Sequence, residues 1–255
     1  MIGFLAFFLL LLPAATSAQS GVVLFDRAVQ YGFEVPERLE QFRDQLPSAN
    51  ISSVLLLFNE SASLMVPAPA AEEAEPEEQG PGRRTPRTGA FVSRLRLASP
   101  SRSDQETLLE AHMNLQNGTI TETREFMGRK FLIAGNMPRY EWRLSAEQSQ
   151  FLGYVVQKAT ATHDSTEIEA WFTPEIPVST GPSLFSGLPG LILSVSVDSG
   201  QTVYSATEVN LASVEDAAIK APDDGQEVTR DEYEQIVAEK LEELRMRRRG
   251  RRRRP

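Results

Sequence analysis

A chain of 255 residues, 41% hydrophobic and 24% charged, can bury a sizeable core and falls outside the composition of disordered chains. It contains no cysteine, which excludes disulfides, zinc ribbons, iron–sulfur clusters and thiol nucleophiles together. The net charge is −9, but eight arginines and no acid lie between Arg245 and Arg254, and removing their +8 leaves the remainder at −17. So acidic a body repels phosphate backbones, and the basic end has no aromatic residue on which a base could stack, so no nucleic acid is expected as a partner.

The first segment reads as a transport signal. Residues 2–12 are nearly unbroken apolar sequence, followed by Pro13 and the small residues Ala14-Ala15-Thr16-Ser17-Ala18 before Gln19. This is the order of a secretory signal peptide over 1–18, cleaved near Ala18, although Lys and Arg are missing from its start. The expected location is periplasmic or secreted; an uncleaved anchor or a buried helix is the alternative. No later stretch reaches the roughly 18 apolar residues that a transmembrane helix needs, so no transmembrane span is expected.

Residues 19–244 are expected to form a single β-rich domain. A strand over 21–35 leads into a short helix from Pro36 to residue 46, with Leu39, Phe42 and Leu46 on one face. A hairpin follows, with arms 51–58 and 62–66 around Asn59-Glu60-Ser61. Residues 70–89 hold five glutamates, three prolines and three glycines, then Arg83, Arg84 and Arg87. They read as a flexible excursion, or as an acidic segment that contacts the C-terminal arginines.

A meander comes next, with strands at 111–116 and 119–133 around Asn117-Gly118, then 140–144, 151–162 and 166–173. In the last of these Ile168, Ala170 and Phe172 alternate with Glu167, Glu169 and Trp171, so one side of the sheet is expected to be covered by a helix or a ligand. After a loop at 174–190, residues 191–197 alternate with Leu191, Leu193, Val195 and Val197 on one face, and Asp198-Ser199-Gly200 returns the chain through 201–211. The end is a helix with a capping box at Thr229 and Glu232 and an apolar stripe of Tyr233, Ile236, Val237, Leu241 and Leu244. Residues 245–255 are expected to be a disordered Arg-rich tail. The fold class is therefore mainly β, a curved antiparallel meander sheet with a short N-terminal helix and a C-terminal amphipathic helix.

Gly187-Leu188-Pro189-Gly190-Leu191-Ile192 spells the hexapeptide that names the GLPGLI family of exported proteins of Gram-negative bacteria, and the chain resembles that family. Trp142, Gly153-Tyr154 with Lys158-Ala159, Ala170-Trp171-Phe172, Ile176-Pro177-Val178, Gly181-Pro182 and the helix over 228–243 are similar to its other elements and fall in its order. The resemblance implies an exported protein of unresolved function. One departure stands at Val156, where many relatives have a cysteine, so no role resting on that thiol applies. Within the hexapeptide, Leu188-Pro189-Gly190-Leu191 suits a type II turn. The meander also resembles, in pattern alone, the half-barrel of periplasmic lipoprotein carriers, which implies a hydrophobic cavity.

Catalytic and metal motifs are missing. His112 and His163 have no ligand spacing and read as surface or edge residues, and Ser183 and Ser186 lie outside any G-x-S-x-G or S-x-x-K pattern. No enzyme activity and no cofactor are expected. The leading expectation is a binding or carrier module for an apolar or envelope-derived ligand, with Trp142, Tyr154, Trp171 and Phe172 as candidate cavity residues and as core aromatics otherwise. The alternative is an envelope scaffold or accessory protein whose C-terminal helix and Arg247, Arg248, Arg249, Arg251, Arg252, Arg253 and Arg254 contact anionic lipid or an acidic partner, against a solvated tail without a ligand.

Overall fold

The computed structural model describes residues 20–30, 49–69 and 106–252, with side chains followed to Arg247. The expected signal segment 1–18, the helix at 36–46, the excursion at 70–89, and Arg253 and Arg254 lie outside them.

Twelve strands form one sheet: β1 (Gly21–Gln30), β2 (Ala49–Phe58), β3 (Ala62–Pro67), β4 (Glu106–Asn114), β5 (Thr119–Phe126), β6 (Arg129–Asn136), β7 (Arg143–Phe151), β8 (Tyr154–His163), β9 (Thr166–Thr173), β10 (Leu191–Val197), β11 (Thr202–Asn210) and β12 (Gln226–Val228). Their spatial order is β12-β6-β5-β4-β3-β2-β1-β11-β10-β9-β8-β7. Every neighbouring pair is antiparallel except β12 with β6. The chain walks outward from β1 to β6, crosses to the far edge at β7, and walks back until β11 pairs with β1.

That crossing dictates the curl. β6 and β7 stand ten places apart in the sheet, about 48 Å if it were flat. Residues 137–142 join them, with a reach of about 25 Å at full extension. The sheet therefore bends round on itself, while β12 and β7 remain separate edges and no barrel closes.

The concave face is apolar from both wings: Phe25, Leu56, Phe58 and Met113 come from one, Phe172 and Val195 from the other. Leu191, Ile192, Leu193 and Val195 are all fully buried, and a bulge between Ile192 and Ser194 interrupts the expected alternation: Ile192, opposite Phe172, shares a face with Val195, opposite Ala170, while Leu191 stands opposite Thr173. What covers this face is the chain itself. Residues 174–190 fold back over it, and Ile176, Val178, Leu184, Phe185 and Leu188 join the same core. Two polar contacts fix them there: the Thr180 hydroxyl donates to Ser63 Oγ at 2.8 Å, and the Ser183 amide donates to Met65 Sδ at 3.0 Å.

Three expectations are corrected. The stretch 119–133 is two strands, β5 and β6, because Met127 and Gly128 (φ 53 and 77°) make a tight turn inside it. Residues 140–142 belong to the crossing, and β7 runs on to Phe151 through a polar sequence exposed along most of its length. It ends at a second such turn, Leu152-Gly153 (φ 50 and 86°). The expected disordered tail is helical to the end of the described residues. Helix α1 spans Arg230–Arg252, because arginine is a good helix former, cations suit a helix C-terminus, and Arg247 pairs back to Glu243 at 2.7 Å.

Helix α1 lies over β5 and β6. Its stripe buries Tyr233 and Val237 against Phe126, Phe131 and Ile133, and Phe131 meets Tyr233 edge to face at 5.3 Å. The capping box forms as expected: the Glu232 amide donates to Thr229 Oγ1 at 3.2 Å, and the Thr229 amide donates to Glu232 Oε2 at 2.8 Å. The Thr229 amide and hydroxyl, both donating to the Glu232 carboxylate, hold it below its ordinary pKa. No helix among the described residues is long and apolar enough to cross a membrane.

Candidate functional site

The crossing segment carries an aromatic strip across the mouth of the curl. Tyr140 packs at 5.2 to 5.4 Å against His163, Trp142 and Phe185, and Phe185 continues to Tyr204 at 6.4 Å. Trp142 Nε1 donates to the Ser186 carbonyl at 2.8 Å, which ties the strip to the covering loop. Burial pushes the Tyr140 hydroxyl from 10.0 up to about 12. The group stays neutral at physiological pH and cannot serve there as a base. Burial likewise lowers the pKa of His112.

Tyr140 also yields an alkaline test. Between pH 10 and about 12 the unfolded chain loses this proton and the folded chain keeps it, so stability falls as pH rises across that window. Urea unfolding midpoints should drop between those limits by more in the parent than in Tyr140→Phe. Equal drops would show that the hydroxyl is not protected by the fold.

The hexapeptide is built differently from a type II turn. The Gly190 amide donates to the Leu188 carbonyl at 2.8 Å, closing a three-residue turn centred on Pro189. The Leu191 amide is taken instead by the Ile176 carbonyl at 2.9 Å. Leu188 is buried, and Gly190 (φ +157°) lies so close to the end of β9 that a Cβ there would stand 2.1 Å from the Thr173 carbonyl oxygen. The motif is thus a packing device joining the covering loop to β10. A family model matches this part of the chain. Described as "Protein of unknown function (Porph_ging)", it covers residues 161–194, from the end of β8 through the hexapeptide. No curated protein matches the chain. Among solved structures, two crystal forms of PNGF-II are similar, with TM-scores of 0.51 and 0.52 and 17% identity. The match covers 86% of this chain and 33% of that one, so the chain spans about a third of the length of PNGF-II. The likeness shows a shared β fold.

Of the four candidate ligand residues, Trp142, Tyr154 and Trp171 are partly buried against the main core to which Phe172 belongs. Phe172 is inside the core. Trp171 alternates with it onto the opposite face, where the Lys158 ammonium lies 5.7 Å from the ring centroid and Trp171 Nε1 donates to Glu169 at 3.1 Å. The hydrogen bond to Glu169, with a 2.9 Å ion pair, raises the Lys158 pKa. Tyr154 opens β8 opposite Phe151, and Trp142 sits on the crossing. Several clefts open on the described surface. One of about 580 Å³ adjoins Ser20, Asn59 and Asp216, a second of about 420 Å³ lies among Glu141, Arg143, Thr160 and Glu167, and a third of about 420 Å³ separates α1 from the β5–β6 hairpin. The four aromatics line none of these three. Among the described residues, no group of three or more His, Asp or Glu is placed to hold a metal ion.

A charged group that the sequence reading missed lies under α1. The Glu122 side chain is 0% exposed, is paired with Arg124 at 3.0 Å, and forms a second ion pair with Arg230 in the first turn of the helix. The signal was present in β5, where Ile120, Glu122, Arg124 and Phe126 share one face and two charges interrupt an apolar row. Taking 119–133 as one strand hid it, because the hairpin partner that buries the carboxylate was not visible.

Past this anchor the helix changes character. Ile236 and Leu241 still pack against the sheet, whereas Arg245, Met246 and Arg247 are exposed. Of the candidate surface arginines, Arg248, Arg249, Arg251 and Arg252 continue the same helix.

Proposed function

We propose that the protein is an exported, non-enzymatic GLPGLI-type component of the cell envelope that attaches to an anionic surface through the basic end of α1. The observation that carries this reading is the helix itself, anchored through Glu122, Tyr233 and Val237 and running on as an arginine-rich rod past its last packed residues. A backbone already helical through Arg252 has less conformational freedom to lose on attachment than a loose tail. The −17 of the rest of the chain repels the same surface and favours attachment by that end alone. Export rests on the 1–18 pattern. The GLPGLI reading is supported by the hexapeptide lying inside the segment matched by the family of unknown function.

The carrier reading loses support for a physical reason: the concave face that a ligand would occupy is packed with Ile176, Val178, Leu184, Phe185 and Leu188. Native mass spectrometry of the purified protein should accordingly give the mass of the unliganded chain.

Co-sedimentation with phosphatidylglycerol vesicles tests the attachment. Each arginine near such a surface contributes about 1 kcal/mol at low salt, so removing residues 245–255 should lower vesicle partitioning by about 100-fold or more. Raising the ionic strength to about 0.5 M should have a similar effect on the full chain. Unchanged partitioning of the truncated protein would refute the reading.

A further inference from the structure

Between β11 and β12 the chain crosses the sheet as a strap, residues 211–225. Its near end is pinned at the β2–β3 turn, where Asn59 Nδ2 donates to Asp216 Oδ1 at 2.7 Å, and at Ser20, whose Oγ accepts from the Val214 amide at 3.2 Å. Its far end is pinned on β5 and β6. Thr123 Oγ1 donates to the Asp224 carbonyl at 3.3 Å, and Lys130 holds the Asp224 carboxylate at 2.6 Å. Between the pins, residues 217–223 make no hydrogen bond or ion pair to the sheet among the described residues. One side chain grips there: Ile219, 6% exposed, packs with Ala62 and Leu64 of β3. Leu64 alternates with Met65 of the concave core, so the strap lies on the convex side.

The register places a histidine under the unpinned middle. Leu64 stands opposite His112 on β4, His112 stands opposite Thr121 on β5, and Thr123 stands opposite Glu110. A path from Ile219 on Leu64 to Asp224 on Thr123 therefore crosses β4 between Glu110 and His112. The imidazole is half-buried and has no hydrogen-bond or ion-pair partner among the described residues. The charged groups on this side of the sheet are Glu110 of β4, Glu125 of β5 and Lys130 of β6, which sit within reach of one another's charge, and the strap brings Lys220, Asp223 and Asp224; β3 presents only Ala62, Leu64 and Val66. The acids favour a charged ring, yet burial prevails and lowers the His112 pKa from its ordinary 6.5. We infer that the strap is an acid-released latch: a proton taken up by His112 lifts Ile219 and its neighbours off β3 and bares Ala62 and Leu64, while the pins at Asp216 and Asp224 keep both ends in place. The closed strap binds that proton more weakly than the open one. Closure is therefore at full strength above pH 6.5 and weakens as the pH falls below it.

Hydrogen exchange of the full chain, followed by mass spectrometry at about pH 7.5 and about pH 5 and corrected for the intrinsic pH dependence of exchange, tests the latch. The reporters are the Ala218 and Ile219 amides, which donate to the Glu215 and Asp216 carbonyls at 2.9 and 3.1 Å and close the single turn inside the strap. Their protection should fall about five-fold or more at the lower pH, while β1 to β11 keep theirs. His112→Leu should hold the strap's protection at both pH values, and Ile219→Ala should lack it at both. His112→Gln, neutral and still polar, should give the same flat response and serves if the leucine variant does not fold. Strap protection that is insensitive to pH in the parent, or that falls as far in the His112 variants, would overturn the inference. So would a loss spread evenly over the strands, which would show acid unfolding of the sheet in place of a local release.

Discussion

Replacing Glu122 by glutamine should cost about 3 kcal/mol of unfolding free energy and loosen helix α1 while the sheet stays paired. Glu122 sits across from Ala111 on β4 and Ile133 on β6, both buried, so water has no route to its carboxylate. Glutamine keeps the shape but removes the charge that neutralises Arg124 and Arg230, and a buried guanidinium without a counter-charge is far costlier than the pair was stabilising. The loss belongs at the lower end of the usual range because the Arg230 side chain is 36% exposed and can turn toward solvent. Replacing all three together, Glu122→Leu with Arg124→Met and Arg230→Met, should restore most of the stability. Guanidinium unfolding followed by far-ultraviolet circular dichroism measures both variants. A Glu122→Gln protein within about 1 kcal/mol of the parent would mean that the triad is solvated and does not anchor the helix.

The same residue shows where the amino-acid pattern stopped being informative. Hairpins announced by turn chemistry were legible: Asn59-Glu60-Ser61, Asn117-Gly118 and Asp198-Ser199-Gly200 each join the expected strands. Met127-Gly128 and Leu152-Gly153 were not, because methionine and leucine at positive φ carry no turn signal and extend the apolar run on either side. β7 escaped for the opposite reason. As an edge strand exposed along most of its length it has no apolar face, and alternation is a signal only where one face is buried. The helix stripe and its cap could be read directly, since both are local. The occupancy of the concave face could not, because Ile176, Val178, Phe185 and Leu188 lie in a loop whose apolar residues have no period and find their partners only once the sheet has curled. This decides how the candidate site is read. The aromatics looked like cavity residues in sequence, and the covering loop turns them into packing on one face and a Lys158–Trp171–Glu169 cluster on the other.

That loop meets the sheet at Gly190, where the second large effect is expected. Gly190→Ala should lower stability by about 3 to 4 kcal/mol. A Cβ at this position would lie 2.1 Å from the Thr173 carbonyl oxygen, 2.7 Å from its carbon and 3.0 Å from Pro174 Cα, all of them backbone atoms at the end of β9. Relief therefore requires moving β9 away from the start of β10, which would strain the hydrogen bond from the Leu191 amide to Ile176 and the burial of Leu188 and Leu191. Gly187 three residues earlier provides the comparison. Its Cβ would meet only the Trp142 ring, at 3.5 and 3.7 Å, so Gly187→Ala bears just the conformational cost of its positive φ, about 1 to 2 kcal/mol. If the hexapeptide were conserved chemistry for a ligand, the two substitutions would leave folding alone and weaken binding. If it is the joint that seats the covering loop, urea midpoints should fall for both variants, and much further for Gly190→Ala. Equal, small shifts would show that the turn tolerates a side chain and that the close approach to Thr173 does not hold in solution.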